Sequence, residues 1–231
     1  VRDYVDDSSI QLKQQSGEKL SEHIVDQYLS LLEKADIHIK ETDYVFPSHS
    51  KKCDSFYAQY KNKLSPNGQK LIGIHAGNHV YNTNKLFQKI GFVPRAWSLP
   101  YYCQLAEKLA TQHTNSIIVL TGGFYEKKMA STIEAHLQKK NLPVINMAGK
   151  THSTVAFLGL LRTLSLMLCG DTGPMHMAAA LEVPLISIFC SADPNDTGPK
   201  GNPKKSQVVM SDLPCNPCVH RVHEFQCPSM T

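Results

Sequence analysis

Apolar and polar residues alternate in two different periods between residues 70 and 210. Short runs of consecutive apolar residues are typical of strands buried on both faces, whereas apolar residues three or four apart are typical of helices packed on a sheet. Because the two patterns take turns along the chain, they predict a parallel sheet with right-handed crossovers and helices on its faces. The predicted strands are 71–75, 116–120, 143–146, 164–169, 184–189 and 206–210, and the predicted helices lie around 102–109, 129–137, 155–161 and 174–181.

The first 68 residues show a weaker pattern than the rest of the chain. Apolar residues at helical spacing predict a helix over about 18–35, with Ile24 and Tyr28 on one face. Residues 36–68 follow no clear period and end in a Ser-Pro-Asn-Gly turn signal, so we interpret them as a linker region. The predicted fold class is α/β, a Rossmann-like parallel sheet with flanking helices, over residues 69–231.

Composition limits the class of protein before any motif is considered. The formal net charge of +4 permits an acidic substrate but does not indicate nucleic-acid binding. No apolar run approaches the roughly 18 residues of a membrane span, and no signal peptide is visible, so a cytoplasmic protein is the default expectation. Because the chain of 231 residues begins with Val1, we expect a trimmed product or a piece of a longer chain.

The seven cysteines fall into two groups. Cys215, Cys218 and Cys227 lie near His220 and His223 at a spacing that permits a zinc site, with reduced surface thiols or a local disulfide as the alternatives. Because the chain holds only one Cys-x-x-Cys, we expect no stoichiometric zinc. The other cysteines are predicted to be reduced core residues of a cytosolic protein. These scattered residues are Cys53, Cys103, Cys169 and Cys190.

Residues 168–180 carry the clearest signal for a ligand site. A buried strand ends in a tight turn over 170–173, and Pro174 suits the start of a helix, where its missing N–H costs nothing. Free backbone N–H groups and the dipole at such a start attract anions. Asp171 then stands at the carboxyl end of a strand, where open α/β sheets bind ligands. The alternative is that Asp171 or Thr172 only caps the helix.

The other loops that follow predicted strands are also rich in glycine, small polar residues and isolated charges. Since parallel strands present their carboxyl ends at one edge of the sheet, these loops are expected to line a common ligand site. The loops in question are 75–78, 121–126, 148–151 and 190–199.

Three further residues have both a functional and a structural interpretation. Arg95 suits bidentate phosphate contacts, or it is a surface arginine stacked on Trp97. Glu126 accepts hydrogen bonds from a ribose, or it sits in the first turn of its helix, where the dipole favours it. His176 lies early in a helix, where packing or capping is commoner than proton transfer.

Three familiar motifs are approached but not met. No Gly-x-Gly-x-x-Gly follows the first strand, which argues against an ordinary dinucleotide enzyme. The GKT run at 149–151 imitates the end of a P-loop, but Val144 stands where that loop needs its first glycine. The DTG run at 171–173 imitates an aspartic protease without the second matched carboxylate that such a dyad requires.

The motifs taken together resemble those of the ADP-heptose:lipopolysaccharide heptosyltransferases, glycosyltransferase family 9. The resemblance extends over about residues 70–220, and the motifs are specific as a set although each is weak alone. The matching runs are GDTGPMHMAAA at 170–180, PLISIF at 184–189, DP and TGP within 193–199, HAG at 75–77, Arg95-x-Trp97, GG-x-x-E at 122–126, AGKT at 148–151 and C-x-P-C at 215–218.

The resemblance implies a GT-B fold, in which two Rossmann-like domains face a cleft and the C-terminal one binds the nucleotide sugar. On that basis residues 1–68 are the end of the N-terminal domain and the linker region, and 69–231 are the nucleotide-sugar-binding domain. The implied donor-binding residues include His176 and five residues with stated roles. Backbone N–H groups of Thr172 and Gly173 hold the diphosphate, Asp171 bonds the donor sugar, Arg95 neutralises phosphate charge and Glu126 contacts the adenosine ribose.

The resemblance also implies a reaction and its partners. A sugar, most simply the heptose of ADP-heptose, passes with inversion to a lipopolysaccharide core or lipid A acceptor, at the cytoplasmic face of the inner membrane. No metal or cofactor is implied, because cationic groups and helix dipoles suffice to stabilise the leaving diphosphate. The family's catalytic base is an aspartate of the first domain, and no residue of this chain matches it. The alternative is a non-catalytic nucleotide- or sugar-binding module.

Overall fold

The computed structural model describes residues 23–37, 50–77, 97–213 and 216–217. Six strands form one sheet in which every neighbouring pair is parallel, as the sequence pattern predicts. The strands are β1 (Lys70–His75), β2 (Ser116–Leu120), β3 (Val144–Asn146), β4 (Leu166–Gly170), β5 (Leu185–Phe189) and β6 (Ser206–Met210). Their spatial order is β3-β2-β1-β4-β5-β6.

This order places a topological switch point beside the central strand β1. The chain proceeds from β1 outward through β2 to β3, and then returns to β4 on the other side of β1. The connections on the two sides of this point therefore cross opposite faces of the sheet. A crevice opens between them at the carboxyl ends of β1 and β4. Open α/β sheets bind their ligands in this crevice.

Helices cover both faces of the sheet, and alternate strand residues supply a core to each. Leu71 belongs to the core shared with the helices of one face, whereas Ile72 and Ile74 belong to the other. This division follows from the two-residue period of a strand. The helices are α1 (Ile24–Lys34), α2 (Lys51–Leu64), α3 (Leu99–Gln112), α4 (Lys127–Gln138), α5 (Thr154–Leu161), α6 (Gly173–Ala180) and α7 (Pro194–Thr197). Among the described residues no helix is long and apolar enough to cross a membrane.

Helix α2 lies in the stretch 36–68, for which the sequence pattern predicted no element. Its N-cap is Ser50, whose side chain accepts a hydrogen bond from the backbone N–H of Cys53 at 3.2 Å. Tyr60 and Leu64 are buried in the core that contains residues of α5 and α6. The sequence pattern missed this helix because most of its fourteen residues are polar and only a narrow stripe of them is apolar.

Helix α1 confirms the helix predicted around residues 18–35, of which residues 18–22 lie outside the described part of the chain. Its start contacts the segment after α7: an imidazole nitrogen of His23 lies 3.0 Å from the carbonyl oxygen of Gly198, and Asp26 pairs with Lys200. Three apolar or aromatic residues of α1 and one that follows it are exposed at the surface. They are Ile24, Tyr28, Leu32 and Ile37.

Strand β4 begins two residues later than predicted. The prediction 164–169 counted Leu164 as strand, but the backbone N–H of Leu164 bonds the carbonyl of Leu161 in the turn that ends α5. Leu164 is buried all the same, so its apolar character serves the core rather than the ladder. The strand instead extends to Gly170, which pairs with Ile188 of β5.

The scattered cysteines are free thiols, as predicted for a reduced core. Cys53, Cys103 and Cys169 are buried, and Cys190 is half-buried. Burial raises the pKa of the Cys103 and Cys169 thiols, because it disfavours the thiolate. These thiols are therefore packing groups and not nucleophiles.

Candidate functional site

A cavity of about 470 Å³ opens at the carboxyl edge of the sheet, over the ends of β1, β2 and β4. This edge is where the sequence pattern predicted that the loops converge. Its volume is large enough for part of a nucleotide, since ligand pockets typically measure about 300–1,000 Å³. Its lining residues are His75, Gly122, Gly123, Glu126, Thr151, His152, Ser153, Thr154, Phe157, Thr172, Gly173, Pro174 and Met177.

One wall of the cavity is the turn between β4 and α6. Thr172 takes the N-cap position of α6 with extended backbone, and its hydroxyl donates to the carbonyl of Gly170 at 3.3 Å instead of capping the helix. The capping role that was the alternative for Thr172 is therefore absent. A Cβ atom added to Gly173 would meet nothing within 4 Å. The backbone of this helix start is thus open to a ligand, and helix starts favour anions.

The opposite wall is the turn between β2 and α4, which closes around the carboxylate of Glu126. The Oε2 atom of Glu126 accepts a hydrogen bond from the backbone N–H of Gly123 at 2.8 Å. A side chain at Gly122 would bring its Cβ within 2.6 Å of the Glu126 Cβ, and Gly122 has a φ of +157°, which disfavours any other residue. Glu126 lies at the N-cap position and is 8% exposed, so the turn holds an acidic group at the cavity wall.

His75 forms the floor of the cavity at the end of β1. Its Nδ1 atom lies 3.3 Å from the hydroxyl oxygen of Thr121, at the end of the neighbouring strand β2. Burial lowers the pKa of His75, and the negative charge of Glu126 acts in the opposite direction. Sequence reasoning did not select His75 as a site residue. The signal was a polar residue that ends an apolar strand, directly before a glycine-containing loop.

Asp171 and His176 belong to the same segment as Thr172 and Gly173 but are not among the described lining residues of this cavity. His176 is half-buried, and its Nδ1 atom is buried without a hydrogen-bond partner in the described part of the chain. Burial lowers the pKa of His176, the charge of Asp171 raises it, and His23, directly before α1, lowers it. His176 therefore lies where α1, α6 and the Asp171 turn meet.

The remaining predicted site residues lie outside the described residues. Arg95 falls in the gap 78–96, so its predicted phosphate contact stays a prediction. The cysteine cluster also lies outside the described residues, because 214–215 and 218–231 are not among them. Within the described ranges no three His, Cys, Asp or Glu side chains are grouped so that they could hold a metal ion. The cluster members are Cys215, Cys218 and Cys227, with His220 and His223.

The order of the strands and the position of the cavity are those of Rossmann-like proteins that bind nucleotides at a switch point. Glycine turns, an open helix start and one buried carboxylate around the cavity fit this class. The chain belongs to glycosyltransferase family 9, the heptosyltransferases, whose family profile matches residues 6–228.

Named relatives agree with this assignment. The chain is 27% identical over 172 residues to lipooligosaccharide heptosyltransferase 2 of Campylobacter jejuni, a match that covers 72% of this chain and 48% of the relative. The chain thus spans about half the length of the curated relatives it matches.

Two solved structures share the fold. A family 9 glycosyl transferase from Veillonella parvula has a TM-score of 0.66 at 18% identity, covering 89% of this chain and 54% of that one. The ADP-heptose LPS heptosyltransferase II of E. coli has a TM-score of 0.54 at 23% identity, covering 68% of this chain and 43% of that one. At these identities the similarity concerns the fold alone.

Proposed function

We propose that this chain is the donor-binding half of a heptosyltransferase that uses ADP-heptose. The observation that carries this is the cavity at the switch point, with Glu126 on one wall and the open start of α6 on the other. Family membership supplies the class of reaction. The E. coli enzyme with the same fold is named for ADP-heptose, which favours this donor over other nucleotide sugars.

In this assignment the two walls hold different parts of the donor. Glu126 accepts hydrogen bonds from the ribose hydroxyls, since a carboxylate is an acceptor on both oxygens. The backbone N–H groups of Thr172 and Gly173 donate to the diphosphate, where the dipole of α6 adds favourable charge. Asp171 bonds the heptose, and Arg95 neutralises the phosphates. His176 supports the same turn from inside α6.

The reaction follows from the charges that such a site stabilises. An acceptor hydroxyl attacks the anomeric carbon from the face opposite the diphosphate, so the new C–O bond forms as the old one breaks and the configuration inverts. ADP leaves with additional negative charge, which the start of α6 stabilises electrostatically. The hydroxyl proton passes to a base that we assign to the other domain of the enzyme. The chain alone therefore binds donor and transfers no sugar.

The other partners follow from the same assignment. Residues 1–68 are the end of the first domain with the linker region, of which α2 packs into the core of the donor domain, and residues 69–231 are the donor domain. The acceptor is a lipopolysaccharide core or lipid A, and the Campylobacter relative is named for lipooligosaccharide. Such an acceptor is anchored in a lipid bilayer, so the enzyme works in the cytoplasm against the inner membrane and does not act on nucleic acid.

Thermal unfolding tests the choice of donor. A ligand present at about 100 times its Kd adds about 2.7 kcal/mol of stability, which for a chain of this size raises the Tm by roughly 5–10 °C. We expect ADP and ADP-heptose to give such a shift and UDP or GDP sugars to give a smaller one. In Gly173→Val, whose side chain would enter the open space at the helix start, the shift should disappear.

Equal shifts with adenine, uracil and guanine nucleotides contradict the adenine assignment. A full ADP shift in a folded Gly173→Val variant contradicts the position of the diphosphate. The Tm of the unliganded variant reports whether it folds, so the two effects of the substitution are separated.

A further inference from the structure

His75 lines the cavity, and none of the roles proposed above involves it. It ends β1, the strand beside the switch point, and is 6% exposed. It lines the cavity between Glu126 on one wall and Thr172 and Gly173 on the other. A nucleotide that reaches from the ribose contact at Glu126 to the start of α6 therefore passes directly over His75.

The hydrogen bonds around Thr121 determine which nitrogen of His75 meets such a ligand. We assign the proton of the neutral His75 ring to Nδ1, because the Thr121 hydroxyl has the backbone carbonyl of Ile74 as an acceptor at 3.5 Å and its oxygen can then accept from Nδ1–H at 3.3 Å. In the neutral ring Nε2 then carries a lone pair and no proton. Since Nδ1 is engaged, Nε2 is the ring nitrogen that is left for a ligand in the cavity.

The surroundings of His75 keep its ring neutral in the absence of ligand. Burial lowers its pKa, and the attraction of Glu126 only partly opposes this. Burial also raises the pKa of the Tyr102 phenol and of the Cys169 thiol, so these two groups carry no charge. Titratable groups on the elements around β1 include Tyr102 on α3, Cys169 on β4, Asp171 after β4 and His152 before α5, and α3 also carries Tyr101, Cys103, Glu107 and Lys108.

A neutral ring of this tautomer cannot bond a diphosphate, because Nε2 and the phosphate oxygens are both acceptors. We propose that His75 takes up a proton from solvent when a nucleoside diphosphate sugar binds, and that its Nε2–H then donates to a diphosphate oxygen. This inference rests on the proposed function, because it requires the diphosphate to lie at the start of α6. The driving force is Coulombic, because the imidazolium and the diphosphate carry opposite charges at a site partly shielded from water.

The protonated ring also has a consequence for the transfer step. As the bond between the sugar and the diphosphate breaks, negative charge grows on the oxygens that Nε2–H contacts. An imidazolium held between Thr121 and the diphosphate stabilises this charge without moving its proton. The ring of His75 would carry a positive charge at the floor of the site only while the donor is bound.

Isothermal titration calorimetry of the 231-residue chain measures the proton directly. ADP-heptose is the probe, because its diphosphate has no group that titrates near neutral pH, whereas the terminal phosphate of ADP titrates near about pH 6. Titrations at about pH 7.5, above the ordinary histidine pKa of about 6.5, are made in two buffers of different ionisation enthalpy. We expect uptake that approaches one proton per ADP-heptose bound.

Two substitutions of His75 separate its nitrogens. In His75→Asn the amide still reaches Thr121 but not the cavity, so the uptake should vanish and the affinity should fall about tenfold or more, as for a lost hydrogen bond to a charged group. In His75→Gln the amide reaches the position of Nε2 and donates an uncharged N–H, so the uptake should vanish with a smaller loss of affinity. The control is His113→Asn, at the exposed C-cap of α3 on the opposite edge of the sheet, which should change neither quantity.

The wild-type chain provides a second test that does not depend on the variants folding. As the pH falls below the pKa of unliganded His75, the ring is already protonated and the uptake should decrease toward zero. If ADP-heptose does not bind to the wild-type chain, the proposed function fails and this inference fails with it. If ADP-heptose binds without proton uptake, or with uptake that persists in folded His75→Asn, only the role of His75 is refuted.

Discussion

Asp171 is the residue at which the two interpretations of the β4–α6 turn differ most clearly. It follows Gly170, the last residue of β4, and its charge acts on both His176 and Cys169. A structural role predicts that removing the carboxylate lowers stability and leaves ligand binding alone. A contact with the donor sugar predicts the reverse, because the carboxylate then bonds the ligand and not the turn.

For Asp171→Ala we expect ADP-heptose to bind about tenfold more weakly, the cost of one lost hydrogen bond between a charged group and the sugar. The affinity for ADP should not change, since ADP lacks the heptose. Calorimetric titration of the folded variant with both ligands measures this difference. Unchanged binding of ADP-heptose, together with a loss of stability, would instead assign Asp171 a structural role in the turn before the N-cap residue Thr172.

At the same scale, some contacts followed from the sequence and others did not. The loops that carry Glu126, Thr172 and Gly173 were predicted to share one edge of the sheet, and the three residues line one cavity there, because the carboxyl ends of parallel strands lie at the same edge. His75 was not selected, since its importance depends on the Thr121 bond that orients its ring. The orientation of a side chain is decided by neighbours far apart in the chain, which periodicity does not report.

At the scale of elements, the contact between α2 and α5 fixes a helix that the sequence pattern missed. Gly159 on α5 lets the two helices approach closely: a Cβ atom there would lie 2.6 Å from the Cβ of Phe56 and 3.0 Å from the backbone nitrogen of Tyr57. Arg162 at the end of α5 pairs with Asp54 at 2.6 Å and lies over the ring of Tyr57. A backbone atom cannot move aside as a flexible side chain can, so the glycine is required.

We therefore expect Gly159→Ala to lower the free energy of unfolding by about 1–3 kcal/mol, the usual cost of overpacking. The sign is informative, because alanine is favoured over glycine in a helix by about 1 kcal/mol where nothing obstructs it. Urea denaturation of the wild-type chain and the variant measures the difference. A variant that is more stable than the wild type would show that α2 does not pack on α5 as described.

The outcome for the elements shows where sequence patterns succeed. Each of the six strands was predicted within about two residues, because strands buried on both faces are nearly continuous apolar runs. Helix α2 was missed because its buried residues are few and include Cys53 and Tyr60, which a polarity pattern does not separate from surface residues. A helix that packs through one glycine in its partner has no sequence signature of its own.

At the scale of the whole molecule, the proposed donor site lies on one surface, the carboxyl edge of the sheet. The sheet, its switch point and the turns after β1, β2 and β4 create one cavity, in a chain that belongs to a family of glycosyltransferases and spans about half of its relatives. A GT-B enzyme places such a surface opposite its other domain. If the proposed function is right, donor binding can be measured on this chain, while sugar transfer is expected to require the other domain.

A crystal structure of the chain with ADP is the most direct test of the donor site. We expect the diphosphate within hydrogen-bond distance of the backbone N–H groups of Thr172 or Gly173, the ribose hydroxyls against the carboxylate of Glu126, and the ring of His75 beneath the phosphates. ADP bound outside this cavity, or bound inside it with its diphosphate away from the start of α6, would contradict the central claim.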